Sequence, residues 1–393
     1  MTSLLLFVYL KNRNKMHEYP KGVPEPVSII VPCYNDEKGI GKTIESLLSL
    51  DYPKNMIEII VVDDKSSDNS AAVAEKYARK YSNVRVIVNK RNSGRAAEPT
   101  NIGIRAAKYN YIAVADADST PDRDALIKMI GFLQADKNTG AVTCAVLAKN
   151  PKTYMQKLQA IEYDIIAWTR KLLDFIDSVY VTPGPFALYK KKVLMEVGLF
   201  DTKNMTQDIE IVWRLLSHDY KARMCLATRV YSETPETIKG WFRQRIRWQI
   251  GGNQTIWKYK SLIFKKGMLG AFILPFFALS LFLGLFGLGL FAYLTARGLL
   301  VRYLSTKYSL YANSAILHLS ELTFTPSILN FFGIVLFIIG IAFTMFGLAA
   351  LKSDRGQKHK ILNIIVYSII YLTLSPITII FALYRIARRK YSW

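Results

Sequence analysis

The sequence predicts a doubly wound, mostly parallel α/β domain followed by interfacial helices and an all-α transmembrane region. Three observations carry this. Short Val/Ile-rich runs alternate with amphipathic stretches over residues 27–147, polar and acidic residues cluster just after those runs, and long uncharged apolar segments follow residue 267. Continuous Val/Ile runs mark strands buried on both faces, as in a parallel sheet covered by helices. Strand and helix in alternation make a βαβ series.

Strands are predicted at residues 27–31, 57–62, 84–88, 111–115 and 141–147, with helices near 37–50, 69–81, 96–107 and 123–134. The apolar run at residues 4–10 is too short to span and lacks a small-residue cleavage site, so 1–25 reads as an anchor or linker. Residues 26–235 are assigned to a cytosolic α/β domain, 236–266 to interfacial amphipathic helices and 267–393 to about three transmembrane helices. The candidate spans are 268–295, 327–351 and 361–384, none containing a charged residue.

Lys265, Lys266 and the basic segment 352–360 mark both flanks as cytoplasmic. Three spans would leave Arg385, Arg388, Arg389 and Lys390 outside, against that rule. A fold-back at Ser375-Pro376 or a further crossing within 298–322 would avoid this; three spans with a rule-breaking tail is the expectation.

A formal charge of +22 raises nucleic acid as a partner, but no zinc-finger, RNP-like or basic-zipper pattern accompanies it. No nucleic-acid partner is expected, because cytoplasmic loops beside an anionic leaflet account for the excess. Cys33, Cys144 and Cys225 are isolated, which suits a reducing cytosol. The four histidines are scattered, which argues against a histidine metal site.

Ligands of open α/β sheets bind beyond the carboxyl ends of the strands. There the sequence places Pro32-Cys33-Tyr34-Asn35, Asp63-Asp64, Asn92-Ser93-Gly94-Arg95 and Asp116-Ala117-Asp118. Asx turns and helix caps also favour such residues, and Asn35, Ser66 and Asp68 are expected to cap helices. Asp116 and Asp118 fit a capping role poorly. Two like charges so close are relieved by a cation, and oxygen-only ligands select Mg²⁺ or Mn²⁺.

Read as a helix, Gln244, Arg247 and Trp248 share one face. A guanidinium fork suits a pyrophosphate and an indole suits a sugar ring. The plainer alternative is an amphipathic helix, or a helix pair broken near Gly251-Gly252, whose Trp and Arg anchor it at lipid headgroups.

These motifs, with Thr206-Gln207-Asp208 and Gln244-Arg245-Ile246-Arg247-Trp248, come in the order seen in family 2 glycosyltransferases. The sequence most resembles the membrane-embedded, processive members: cellulose, chitin, hyaluronan and poly-N-acetylglucosamine synthases. The resemblance covers most of residues 27–252. It implies a GT-A fold, a UDP-sugar donor, a divalent metal and inversion at the anomeric carbon. It further implies that Pro32, Tyr34, Asp64, Arg95, Asp116 and Arg247 bind the nucleotide-sugar and that Asp118 ligates Mg²⁺ or Mn²⁺. Asp208 would be the catalytic base, while Gly184, Gln244 and Trp248 would line the acceptor site. Two positions depart from the pattern: Gln207 replaces the usual Glu, and Arg95 stands where lysine is frequent.

The implied activity is transfer of a hexose or N-acetylhexosamine to a growing polysaccharide at the cytoplasmic face of a multi-pass membrane protein. The expected partners are the UDP-sugar, a glycan or lipid-linked acceptor, and membrane lipids. Single transfer to a polyprenyl phosphate or diacylglycerol is an alternative. So is a non-catalytic subunit that binds nucleotide or glycan. A transporter is disfavoured, because the spans hold no charge to mark a substrate path.

Overall fold

A computed structural model describes residues 2–312, 328–355 and 359–388. Its strands are β1 (Val27–Cys33), β2 (Ile57–Asp63), β3 (Val84–Val88), β4 (Tyr111–Val114), β5 (Thr120–Pro121), β6 (Thr139–Ala148), β7 (Ala187–Lys190) and β8 (Lys221–Ser232). They form one sheet in the order β3-β2-β1-β4-β7-β6-β8-β5. β1, β2, β3 and β4 are parallel, β7 runs antiparallel between β4 and β6, and β8 returns parallel to β6. The carboxyl ends of β1, β2, β4, β6 and β8 therefore meet at one edge.

The helices are α1 (Thr2–Asn12), α2 (Ile40–Leu48), α3 (Ser70–Lys80), α4 (Ala97–Ala106), α5 (Ala125–Ala135), α6 (Tyr154–Asp174), α7 (Lys191–Glu196), α8 (Gln207–Ser217), α9 (Ile238–Tyr259), α10 (Leu274–Tyr311), α11 (Ile328–Arg355) and α12 (Ile361–Ala387). Successive strand residues feed opposite cores, as the period of two requires. Ile30, Ile60 and Val114 pack with α4, α6 and α8, whereas Ile29, Ile59 and Ala113 pack with α2 and α5. This explains the uninterrupted Val/Ile runs.

The segment after α1 is tied down. Val23 and Gln134 exchange hydrogen bonds of 2.9 and 2.8 Å, and Gly131 of α5 approaches Pro20 so closely that a Cβ would lie 1.9 Å from its carbonyl oxygen. Tyr9 of α1 packs on Trp168 of α6 and Phe346 of α11.

Several expectations change. α9 is continuous, so the helix does not break at Gly251-Gly252. The reason is steric: Gly251 is needed for a close approach rather than for a turn. α12 runs unbroken through Pro376, so there is no fold-back at Ser375-Pro376. Residues 298–311 extend α10 and form no separate crossing there, while 313–322, Arg389 and Lys390 lie outside the described residues. Three described helices are long and apolar enough to cross a membrane. At 38 residues α10 measures about 57 Å, well beyond a hydrocarbon core of about 30 Å.

Candidate active site

The loops after β1, β2, β3, β4 and β8 enclose a cleft of about 490 Å³. Pro32, Tyr34, Asp64, Arg95, Asp116, Asp118 and Arg247 all line it, so the predicted donor and metal residues come together. Tyr34 is exposed at its mouth. Asp64 is buried and already engaged: Asn89 Nδ2 donates to Oδ1 at 2.8 Å, and Ser93 donates to Oδ2 through N–H and hydroxyl at 2.9 and 2.6 Å. One carboxylate thereby shapes the loop that carries Gly94, whose φ of +72° favours glycine, and Arg95. The Arg95 guanidinium donates to the Thr202 carbonyl at 3.0 Å, bridging the cleft to the loop before α8.

The expected caps do something different. Asn35 N donates to Ser66 Oγ, Ser67 N donates to Asn35 Oδ1, and Glu37 N donates to Asp68. These bonds brace the β1 loop against the β2 loop, because both turn sharply with positive φ at Asn35 and Lys65. Only Asp68 also reaches the start of α3, through Ser70 N–H.

Asp116 and Asp118 follow β4 into the cleft. Removal from water pushes the Asp116 carboxyl up, helped by the charges of Asp118 and Asp208 and opposed by Arg247. Asp118 is pushed up by burial and then by Asp36 and Glu233. Such a surplus of carboxylate charge around oxygen donors suits a hard divalent cation. Among the described residues no group of three or more His, Cys, Asp or Glu could hold a metal. The oxygen donors that Asp116 and Asp118 bring to the cleft are of the kind that Mg²⁺ or Mn²⁺ takes.

Asp208 is the second residue of α8. Burial raises its pKa, while the Arg247 charge and the N–H groups of Asp208 and Ile209 at the helix start favour the carboxylate. Its carbonyl accepts from Thr182 N at 3.4 Å, which joins α8 to the loop carrying Gly184. A Cβ on Gly184 would lie 2.7 Å from both Asp116 carboxylate oxygens, so this glycine backs Asp116 directly. Glu210 is structural, receiving bonds from Arg214, Lys258 and Tyr259.

α9 brings the remaining residues. Gln244 hydrogen-bonds the Tyr163 hydroxyl, and its own Oε1 is buried without a partner. Trp248 packs with Ala148, Ala160 and Tyr163 rather than projecting outward; among the described residues the exposed indole is Trp257, at 72%. The Arg245 guanidinium lies 4.0 Å from the Trp248 ring centroid and is salt-bridged to buried Glu162 of α6. Tyr371 of α12 donates to the same Glu162 oxygen and accepts from Trp241 Nε1 at 3.0 Å.

Sequence reasoning missed Glu233, Tyr163 and Arg170. Glu233 follows β8, a strand whose mixed polar and apolar residues conceal it. Arg170 of α6 is buried with Nε and Nη1 unpartnered, and its charge favours the ionised Asp208. Its isolation in the sequence gave no signal.

A family described as "Glycosyltransferase like family 2" matches residues 24–251. Poly-beta-1,6-N-acetyl-D-glucosamine synthase of Staphylococcus epidermidis is 30% identical over 370 residues, covering 93% of this chain and 85% of the relative. The enzyme of the same name from Staphylococcus aureus (strain COL) is 33% identical over 233 residues, covering 59% of this chain and 56% of the relative. The fold resembles that of a mannosyltransferase from Pyrobaculum calidifontis, solved with GDP-Man and Mn²⁺, at a TM-score of 0.52 and 21% identity over 76% of this chain and 88% of that one. The chain belongs to glycosyltransferase family 2, with a GT-A fold, and is a nucleotide-sugar-dependent glycosyltransferase.

Proposed function

We propose that the protein is an inverting, membrane-bound synthase that adds N-acetylglucosamine from UDP-N-acetylglucosamine to a growing β-linked polysaccharide at the cytoplasmic leaflet. The observation that carries this reading is the convergence of Asp116, Asp118, Arg247 and the nucleotide-side residues on one cleft, next to Asp208 and the α9 face. The name shared by the staphylococcal relatives supports the choice of sugar and polymer.

In this reading Pro32, Tyr34, Asp64 and Arg95 orient the nucleotide, and Arg247 stabilises charge gathering on the diphosphate. Asp118, backed by Asp116, would hold Mg²⁺ or Mn²⁺; when bound, the metal acts as a Lewis acid on the leaving group. Asp208 takes the proton from the acceptor hydroxyl, whose oxygen bonds to the anomeric carbon as the carbon–diphosphate bond breaks. Gln244 and Trp248 seat the acceptor, with Gly184 close by. Lys258, Lys260, Lys265 and Lys266, just before α10, support a cytoplasmic catalytic domain at an anionic leaflet. Residues 1–25 would anchor, 26–235 form the catalytic unit, 236–266 lie at the interface and 267–393 form the membrane region.

Membranes should release UDP from UDP-N-acetylglucosamine faster than from UDP-glucose, UDP-galactose or GDP-mannose, and sizing should show a ladder or high polymer. A single lipid-linked sugar would overturn the polymer reading, and nucleotide binding without release would overturn catalysis. EDTA should abolish release and added Mn²⁺ or Mg²⁺ should restore it; full activity in chelator would remove Asp118 from metal binding. Trp248→Ala should raise the acceptor KM by about tenfold, a stacking loss near 1.4 kcal/mol, with little change for UDP. Equal losses for both substrates would count against an acceptor seat.

A further inference from the structure

The three long apolar helices do not meet the catalytic unit in the same way. α10 touches it near its start, where Phe277 packs on Tyr180 and Trp213 at 4.8 and 5.9 Å, and large residues from Leu279 to Tyr311 are exposed. α11 does the reverse. Ile334, Leu336 and Ile338 are exposed, whereas Phe343, Phe346 and Gly347 pack on Trp168 of α6 and Leu351 is buried. One helix departs and the next returns.

α12 stays in contact from end to end. His359, just before its first turn, pairs with Asp164 of α6 at 2.9 Å. Near its middle Tyr371 bonds Glu162 of α6 and Trp241 of α9. In its last turns Phe381 packs on Phe242 at 5.5 Å, and Ala382 and Ile386 cluster with Ile246, Ile250 and Met205. Met205 lies three residues before Asp208, within the catalytic unit. From Ile361 to Ile386 the helix rises about 37 Å, more than a hydrocarbon core of about 30 Å. A helix of that length touching one globular unit at both ends keeps both ends on that unit's side.

Side-chain distribution agrees. Ile364, Thr378 and Ala382 are buried and Tyr371 is partly buried, at spacings of seven, seven and four that make one stripe along the helix. The outer side carries exposed Ile361, Leu362, Ile369, Ile377 and Ile380. The protein-facing stripe carries Thr378 and the partly buried Tyr371, and the outer side is mostly aliphatic.

We infer that α10 and α11 are membrane-crossing helices, whereas α12 lies in the plane of the membrane against α6 and α9, its outer side in the acyl chains. Both ends of α12 then share the catalytic unit's side, and Arg385 and Arg388 join Lys265 and Lys266 at the same leaflet. The rule-breaking tail disappears. The inference rests on the membrane reading above, and the test separates it from the choice of cytoplasmic side.

Three single cysteines report it: Lys76→Cys on α3, Tyr311→Cys at the far end of α10 and Arg388→Cys after α12, all at exposed positions. The native cysteines are buried. Variants that retain UDP release are treated with a membrane-impermeant maleimide in intact and in permeabilised cells. Arg388→Cys and Lys76→Cys should stay unlabelled until permeabilisation, while Tyr311→Cys labels at once. Arg388→Cys labelling with Tyr311→Cys, opposite to Lys76→Cys, overturns the inference and makes α12 a span. Labelling of Arg388→Cys and Lys76→Cys together from outside keeps the inference and removes the cytoplasmic assignment.

Discussion

Replacing Asp208 with Asn is expected to lower turnover by about two to four orders of magnitude while leaving UDP-sugar affinity near its original value. The amide keeps the carboxylate's size and can still accept from the N–H groups of Asp208 and Ile209, so the start of α8 should hold. It cannot take a proton. Asp64 and its loop are anchored by Asn89 and Ser93 rather than by α8. UDP release from purified membranes measures the first effect, and calorimetric UDP binding measures the second. Turnover close to that of the native enzyme would remove Asp208 from the proton transfer.

The neighbouring glycines of α9 should behave in opposite ways. An alanine methyl at Gly251 would lie 2.0 Å from Thr206 Oγ1 and 2.6 Å from Thr206 N, and Thr206 precedes α8. The clash involves backbone, so α9 must shift against the loop before α8, displacing Arg247 from its place beside Asp208. A misplacement of about 1 Å costs on the order of a hundredfold in rate, and that loss is expected for Gly251→Ala. At Gly252 the same methyl meets nothing within 4 Å. There Gly→Ala should stabilise the helix by up to about 1 kcal/mol with activity intact. Thermal unfolding in detergent alongside UDP release compares the two. Identical behaviour would mean that the α9–Thr206 approach does not set the site.

The legible part of the molecule was the part whose surroundings are of one kind, wholly apolar or wholly polar. Strand runs such as Ile57–Val62 face two apolar layers and read directly, and the loops after them announced Asp64, Asp116 and Asp118. α6 escaped because it is enclosed by the sheet, α9 and the long apolar helices. Gln159, Glu162, Asp164 and Arg170 are buried along it, which erases the apolar periodicity that marks a helix. β8 escaped for a different reason: Met224, Cys225 and Leu226 are buried in succession where its register with β6 shifts, which breaks the alternation. Gly251 and Gly252 look alike in sequence, and only the position of Thr206 tells a contact glycine from a spare one. Hydropathy marked α12 as apolar but could not say on which side lipid lies.

The unbroken course of α9 links two properties that two separate elements would leave independent. Arg247 and Trp248 are successive residues on a rod pinned near one end by Trp241 to Tyr371 and at the other by Tyr259 to Glu210. In the proposed reading one grips the departing nucleotide and the other seats the incoming chain. A mutation that tilts the rod displaces both together, so variants selected for a new donor should carry a correlated change in product length.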